Sequence, residues 1–235
     1  MTAPRIEVHD DRDALAAAVA GELLTRLADA QEAGAVPHLA LTGGGIADAV
    51  HREIARLTTA SSVERTVDWA RVVVWWGDER FVAPDSSDRN SVAARAGFLD
   101  VVGVDAANVH EMPSTTTAAD VEAGAAAYAD EVHAHGTGEF EIVMLGIGPD
   151  GHVASLFPGY PQLDVNDRIA VAVTDSPKPP PERISLTFAA LNRTRSVWFV
   201  VSGGEKAEAV SRALAEGSDL HDVPAAGVAG REETI

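Results

Sequence analysis

The chain has no cysteine. That excludes a disulfide scaffold, a thiol nucleophile and a cysteine-type zinc site, and it agrees with a cytoplasmic location. Aromatic residues are scarce at 5%, so the apolar content rests on Ala, Val and Leu and predicts a core of small aliphatic side chains. No stretch of 18 consecutive apolar residues occurs, which leaves no candidate membrane span. Basic residues are few: 18 Lys and Arg against 36 Asp and Glu give a net charge of −18. A duplex-binding protein needs a basic face, so nucleic acid is not an expected partner. An anionic small molecule fits this charge only if local groups hold it against the overall field. The first residues carry Asp10, Asp11 and Asp13 and no apolar run, unlike a secretory signal.

What is present is an ordinary globular composition, 46% hydrophobic over 235 residues, which suits a single α/β domain spanning 1–235. Apolar spacing predicts helices over 13–32, 46–57, 88–99, 118–135 and 207–214. Gly34 ends the first of them. Runs rich in β-branched and aromatic residues predict strands over 38–42, 71–76, 140–145, 169–174, 183–186 and 196–202. Strands alternating with helices predict a mostly parallel sheet flanked by helices, a Rossmann-like α/β fold. Several strands end in glycine and charged residues. Ligands of open parallel sheets bind beyond the carboxyl ends of the strands, so these polar clusters predict one shared cleft.

Four clusters carry chemistry. Gly43, Gly44 and Gly45 follow a strand and precede a helix, where free N–H groups and the helix dipole favour an anion. The pattern is neither a P-loop nor GxGxxG, and it also suits a tight turn. Asp78, Glu79 and Arg80 follow Gly77 directly after the 71–76 strand. Gly146-Ile147-Gly148-Pro149-Asp150-Gly151-His152 places an acid two residues before an imidazole, the side chain best suited to general-base work near neutral pH. Arg183, after three prolines, and Lys206, opening a helix after Gly203-Gly204, are candidate phosphate ligands; Lys178 is a weaker one. His51, His110, His133 and His135 are not spaced as ligands, so no metal is expected.

In order along the chain, LTGGG (41–45), WWGDERFV (75–82), SDRNS (87–91), MLGIGPDGHVASLFPG (144–159), SPKPPPERISLT (176–187) and VSGGEKAEAV (202–210) resemble the 6-phosphogluconolactonase family. The resemblance implies a fold similar to those of glucosamine-6-phosphate deaminases and ribose-5-phosphate isomerases. It implies hydrolysis of 6-phosphoglucono-1,5-lactone to 6-phosphogluconate, in the oxidative pentose phosphate pathway, without a cofactor. The partner is then a small phosphorylated sugar lactone, acted on by a monomer or weak dimer in the cytoplasm. His152 matches the family's general base and Asp150 the acid beside it. Arg80 matches the arginine facing the substrate. Gly43, Gly44 and Gly45 match the loop against the ligand, with Asp78 beside them, and Arg183 and Lys206 match the basic residues around the phosphate. Ile46-Ala47 departs from a common Thr-Pro after the glycines. The chain ends at Ile235, where the family commonly continues through a Trp-containing segment, so a truncated C-terminus is one expectation.

Two other readings use the same cleft. An amino-sugar-phosphate deaminase or isomerase would take Asp78 as its base, but it calls for a carboxylate where this chain has Leu156-Phe157-Pro158. A non-catalytic sugar-phosphate sensor would keep the phosphate loop and dispense with Asp150 and His152.

Overall fold

The computed structural model describes residues 3–60 and 66–235. Helix α1 (Arg12–Glu32) starts where the Asp11 carboxylate accepts the Ala14 N–H at 2.8 Å and is followed by Gly34, in the left-handed region at φ 87°. Strand β1 (His38–Leu41) leads through Gly43 and Gly44 into α2 (Gly45–Thr59). Strands β2 (Val73–Trp76) and β3 (Asp78–Arg80) follow, then the short helices α3 (Asn90–Ala94) and α4 (Asp100–Val102), joined by a π-helical turn over Arg95–Leu99. Next come α5 (Val121–His135), β4 (Phe140–Leu145), β5 (Ala170–Val173), β6 (Arg183–Leu186), α6 (Phe188–Leu191), β7 (Thr194–Phe199), α7 (Ala207–Leu214) and β8 (Glu233–Thr234).

The main sheet has the order β2-β1-β4-β7-β8, every pair parallel. All residues of β1 and β2 are buried, as a parallel sheet covered on both faces requires. The chain steps from β1 to β2 on one side, and β4 takes the other. The crevice that such a reversal opens lies at the carboxyl ends of β1 and β4, where the glycine loop and the 146–152 segment begin. Packing holds α1 in place. Leu23 and Leu27 have no exposed surface, and burying each is worth about 1.5–3 kcal/mol, against about 0–1 kcal/mol for an exposed ion pair such as Arg26–Glu22.

One strand was not expected, and two helix starts are corrected. Residues 78–80 form β3, in a second, antiparallel sheet of order β3-β6-β5. Gly77 carries the chain between the sheets, donating its N–H to Leu41 O (2.9 Å) while its carbonyl accepts the Leu186 N–H (2.8 Å). The helix expected from residue 88 starts at Asn90, because Glu79 takes the N–H groups of Asn90 and Ser91 at 2.7 and 2.9 Å. The helix expected from 118 starts at Val121, where Asp120 accepts the Ala123 N–H at 2.8 Å.

Candidate active site

The segment after β4 turns back on itself through backbone bonds from Gly148 N–H to His152 O and from Gly151 N–H to Gly148 O, both 2.9 Å. Gly151 has φ 90°, and a Cβ there would lie 2.8 Å from Val223 Cγ1, so glycine is required on both counts. Gly148 serves a different end. A Cβ on it would sit 2.0 Å from His152 Nδ1 and 2.5 Å from Asp150 Oδ1. The Asp150–His152 pair therefore lies directly over this glycine. Nδ1 of His152 is in hydrogen-bonding contact with Asp150 Oδ1, and the ring packs on Phe157 with centroids 4.7 Å apart. Nε2 has no hydrogen-bond partner among the described residues, and the side chain keeps 16% of its exposure. Burial alone would raise the Asp150 carboxyl, but hydrogen bonds from the His152 ring and backbone, with the charge of His152, bring it down to about 2. The acid is thus held as an anion against Nδ1, which leaves Nε2 as the ring nitrogen without a partner.

Strand β3 supplies the next wall. Asp78 and Arg80 are two residues apart and share a face of it. Asp78 is buried; its Oδ2 accepts the Ser155 hydroxyl at 2.6 Å, which ties the segment after His152 to β3. Ala154, at φ 49°, makes the bend that turns Ser155 inward. Arg80 Nη1 donates to Asp88 O (2.8 Å) and to Asn90 Oδ1 (2.6 Å). Glu79 points away from this face and is 1% exposed. Burial raises its carboxyl, against N–H donation from Ser91, the charge of Arg89, and the N–H groups of Asn90 and Arg80. Arg89 is itself buried, donating to Met112 O at 2.6 Å and lying 3.8 Å from Glu79. Glu79 and Arg89 therefore build the wall that the other side chains line.

Arg183 stands opposite Arg80 in the β3–β6 register. Like charges directly opposite each other are unfavourable, which makes this pair a candidate place for an anion. Burial lowers the Arg183 guanidinium and Arg80 adds to that, while Asp78 and Glu79 act against it. Arg183 also donates to the carbonyls of Lys178 (2.9 Å) and Pro180 (3.2 Å) and so ties down the proline loop that precedes it. The Lys178 side chain is exposed. Lys206 is half-buried at the carboxyl end of β7, with no ion pair or hydrogen bond from its side chain among the described residues. The N–H groups of Gly43, Gly44 and Gly45 have no acceptor among the described residues.

Sequence reading missed Asn90 and Ser155. Asn90 joins two of the clusters, bonding to Asp78 and Arg80 and filling the space beside Gly43, where a Cβ would lie 1.8 Å from Asn90 Oδ1. Its one signal was its place in SDRNS, at a helix start. Among the described residues, no three His, Asp or Glu side chains are grouped to hold a metal. A cavity of about 900 Å³ lies elsewhere, between residues 4–12, α1, the end of β7 and α7. None of His152, Asp150, Arg80 or Arg183 lines it, and its walls are chiefly apolar.

Comparison with known proteins follows the same lines. The family model described as glucosamine-6-phosphate isomerases/6-phosphogluconolactonase matches residues 10–235. A 6-phosphogluconolactonase of Streptomyces coelicolor is 39% identical over 241 residues, covering 99% of this chain and 90% of that protein. One from Mycobacterium tuberculosis is 39% identical over 237 residues, covering 98% and 93%. The crystal structure of 6-phosphogluconolactonase from Thermotoga maritima superposes with a TM-score of 0.83 at 26% identity, over 100% of this chain and 97% of that one.

Proposed function

The chain belongs to the glucosamine-6-phosphate isomerase/6-phosphogluconolactonase family, and we propose that it is the lactonase: a carboxylic ester hydrolase converting 6-phosphoglucono-1,5-lactone to 6-phosphogluconate, as in the oxidative pentose phosphate pathway. The observation that carries this reading is the His152–Asp150 pair over Gly148, with Nε2 free. His152 takes a proton from water as the oxygen attacks C1. Asp150 fixes the ring and stabilises the imidazolium. The free N–H groups of Gly43, Gly44 and Gly45 stabilise the tetrahedral oxyanion. The imidazolium then returns the proton to the ring oxygen as the C1–O bond breaks. Arg80 and Arg183, with Lys206, hold the phosphate, and Asp78 braces the cleft wall.

The deaminase reading lacks support at one place: Leu156 and Phe157 are buried apolar side chains, where ring-opening chemistry calls for a carboxylate. The test is hydrolysis of freshly generated lactone, coupled to 6-phosphogluconate dehydrogenase, against an enzyme-free blank, beside an assay for ammonia release from glucosamine 6-phosphate. Acceleration in the first and none in the second is expected. The reverse pattern would make the protein a deaminase, and silence in both, with sugar-phosphate binding, a sensor.

A further inference from the structure

We propose that Asn90 is a positioning residue that keeps the Arg80 guanidinium from pairing with Asp78, so that its charge stays available to an anionic group of the substrate. The inference rests on the functional reading above. Asp78 and Arg80, two apart on one face of β3, are placed to neutralise each other, yet no ion pair joins them among the described residues. The Asn90 amide stands between them. Its Oδ1 accepts Arg80 Nη1 at 2.6 Å, and its Nδ2 donates to Asp78 O at 2.9 Å and to Asp78 Oδ1 at 3.4 Å. The orientation of the amide follows from chemistry, because arginine only donates and an ionised carboxylate only accepts. A carboxylate at 90 would satisfy Arg80 but neutralise it and repel Asp78; an apolar side chain would leave the pair free to close.

A purely structural role does not account for this arrangement. Helix α3 is already fastened to β3 by Glu79, through the backbone N–H groups of Asn90 and Ser91. The side chain is not needed for that anchor. It is nonetheless 3% exposed and has the space beside Gly43 reserved for it. Ser155 occupies the other oxygen of Asp78, so both partners on that carboxylate are neutral.

The experiment measures the Kd of 6-phosphogluconate by calorimetry and the KM for the lactone, with melting curves, for wild type, Asn90→Ala, Asn90→Asp, Asp78→Asn and the Asp78→Asn/Asn90→Ala double variant. Asn90→Ala should raise Kd and KM about tenfold, the scale of a hydrogen bond to a charged group, with kcat changed less than about threefold. In the Asp78→Asn background the same change should raise them less than about twofold, because no carboxylate remains to capture Arg80. The isosteric Asn90→Asp should raise both while lowering the melting temperature by the repulsion with Asp78, and, measured below its melt, it decides the matter if Asn90→Ala fails to fold. An equal factor in both backgrounds, or a folded Asn90→Asp with wild-type Kd, would overturn the proposal. A wild type that binds the product without hydrolysing the lactone would defeat the functional reading alone, since Kd still reports the coupling between Asn90 and Asp78.

Discussion

At the scale of single residues, Gly148 sets the position of the proposed base. Its φ is not in the left-handed region, so what chiefly opposes alanine there is the His152 ring and the Asp150 carboxylate, at 2.0 and 2.5 Å from the added Cβ. Gly148→Ala should therefore displace the imidazole more than it unfolds the protein. We predict a loss of about 100-fold in kcat/KM, the scale of a 1 Å misplacement, at a nearly unchanged melting temperature; steady-state kinetics beside a thermal melt checks it, and full activity would contradict the placement of His152. The glycines, Asp150 and His152 were legible in the sequence because their relation is local, within seven residues of one strand end. Asn90 and Ser155 were not. Their partners lie 12 and 77 residues away, and a lone Asn or Ser carries no sign of which carboxylate it will meet.

At the scale of elements, strand β2 is an edge of the main sheet, and its last residue has backbone groups that no strand takes on that side. Tyr128 of α5 supplies them with one hydroxyl, accepting the Trp76 N–H at 3.0 Å and donating to Trp76 O at 3.1 Å. Tyr128→Phe leaves both groups buried without a partner. We expect it to cost about 1–3 kcal/mol, read as a lower denaturant midpoint at unchanged slope, while Leu27→Ala costs about 2–5 kcal/mol through the cavity it leaves. A Tyr128→Phe variant of wild-type stability would show that the hydroxyl is not the cap. The alternation of apolar strands and amphipathic helices gave away the parallel sheet, because burial on two faces leaves runs such as VVVWW. Strand β3 was hidden. A Gly-Asp-Glu-Arg run has the composition of a turn, and its extended form comes from pairing with β6, about a hundred residues later, with Asp78 opposite Ser185 and Arg80 opposite Arg183.

At the scale of the whole molecule, acid should weaken the fold through two histidines remote from the cleft. Burial pushes His51 down to about 4, with a smaller push from Arg52, and both its ring nitrogens lack a partner among the described residues. Burial, then the charge of His110, brings His38 to about 4 as well, and its Nδ1 accepts the Trp75 indole N–H at 3.0 Å. The unfolded chain protonates both near 6.5, so between 6.5 and about 4 it binds more protons than the native protein and stability falls with falling pH. For His51 the loss is on the order of 3 kcal/mol by pH 4. His51→Leu should flatten the fall in melting temperature between pH 7 and 4.5; an unchanged slope would show that His51 is not the cause. The same whole-molecule view carries the central claim, that the parallel sheet, which ends in the glycine loop and the 146–152 segment, and the antiparallel sheet, which brings β3, meet around the proposed general base. The most direct test is the lactonase assay on His152→Ala beside wild type, with 6-phosphogluconate binding measured on both. The account predicts that kcat falls by about 10²–10⁴-fold, the worth of a general base, while binding persists; near-normal turnover by a folded His152→Ala would contradict it.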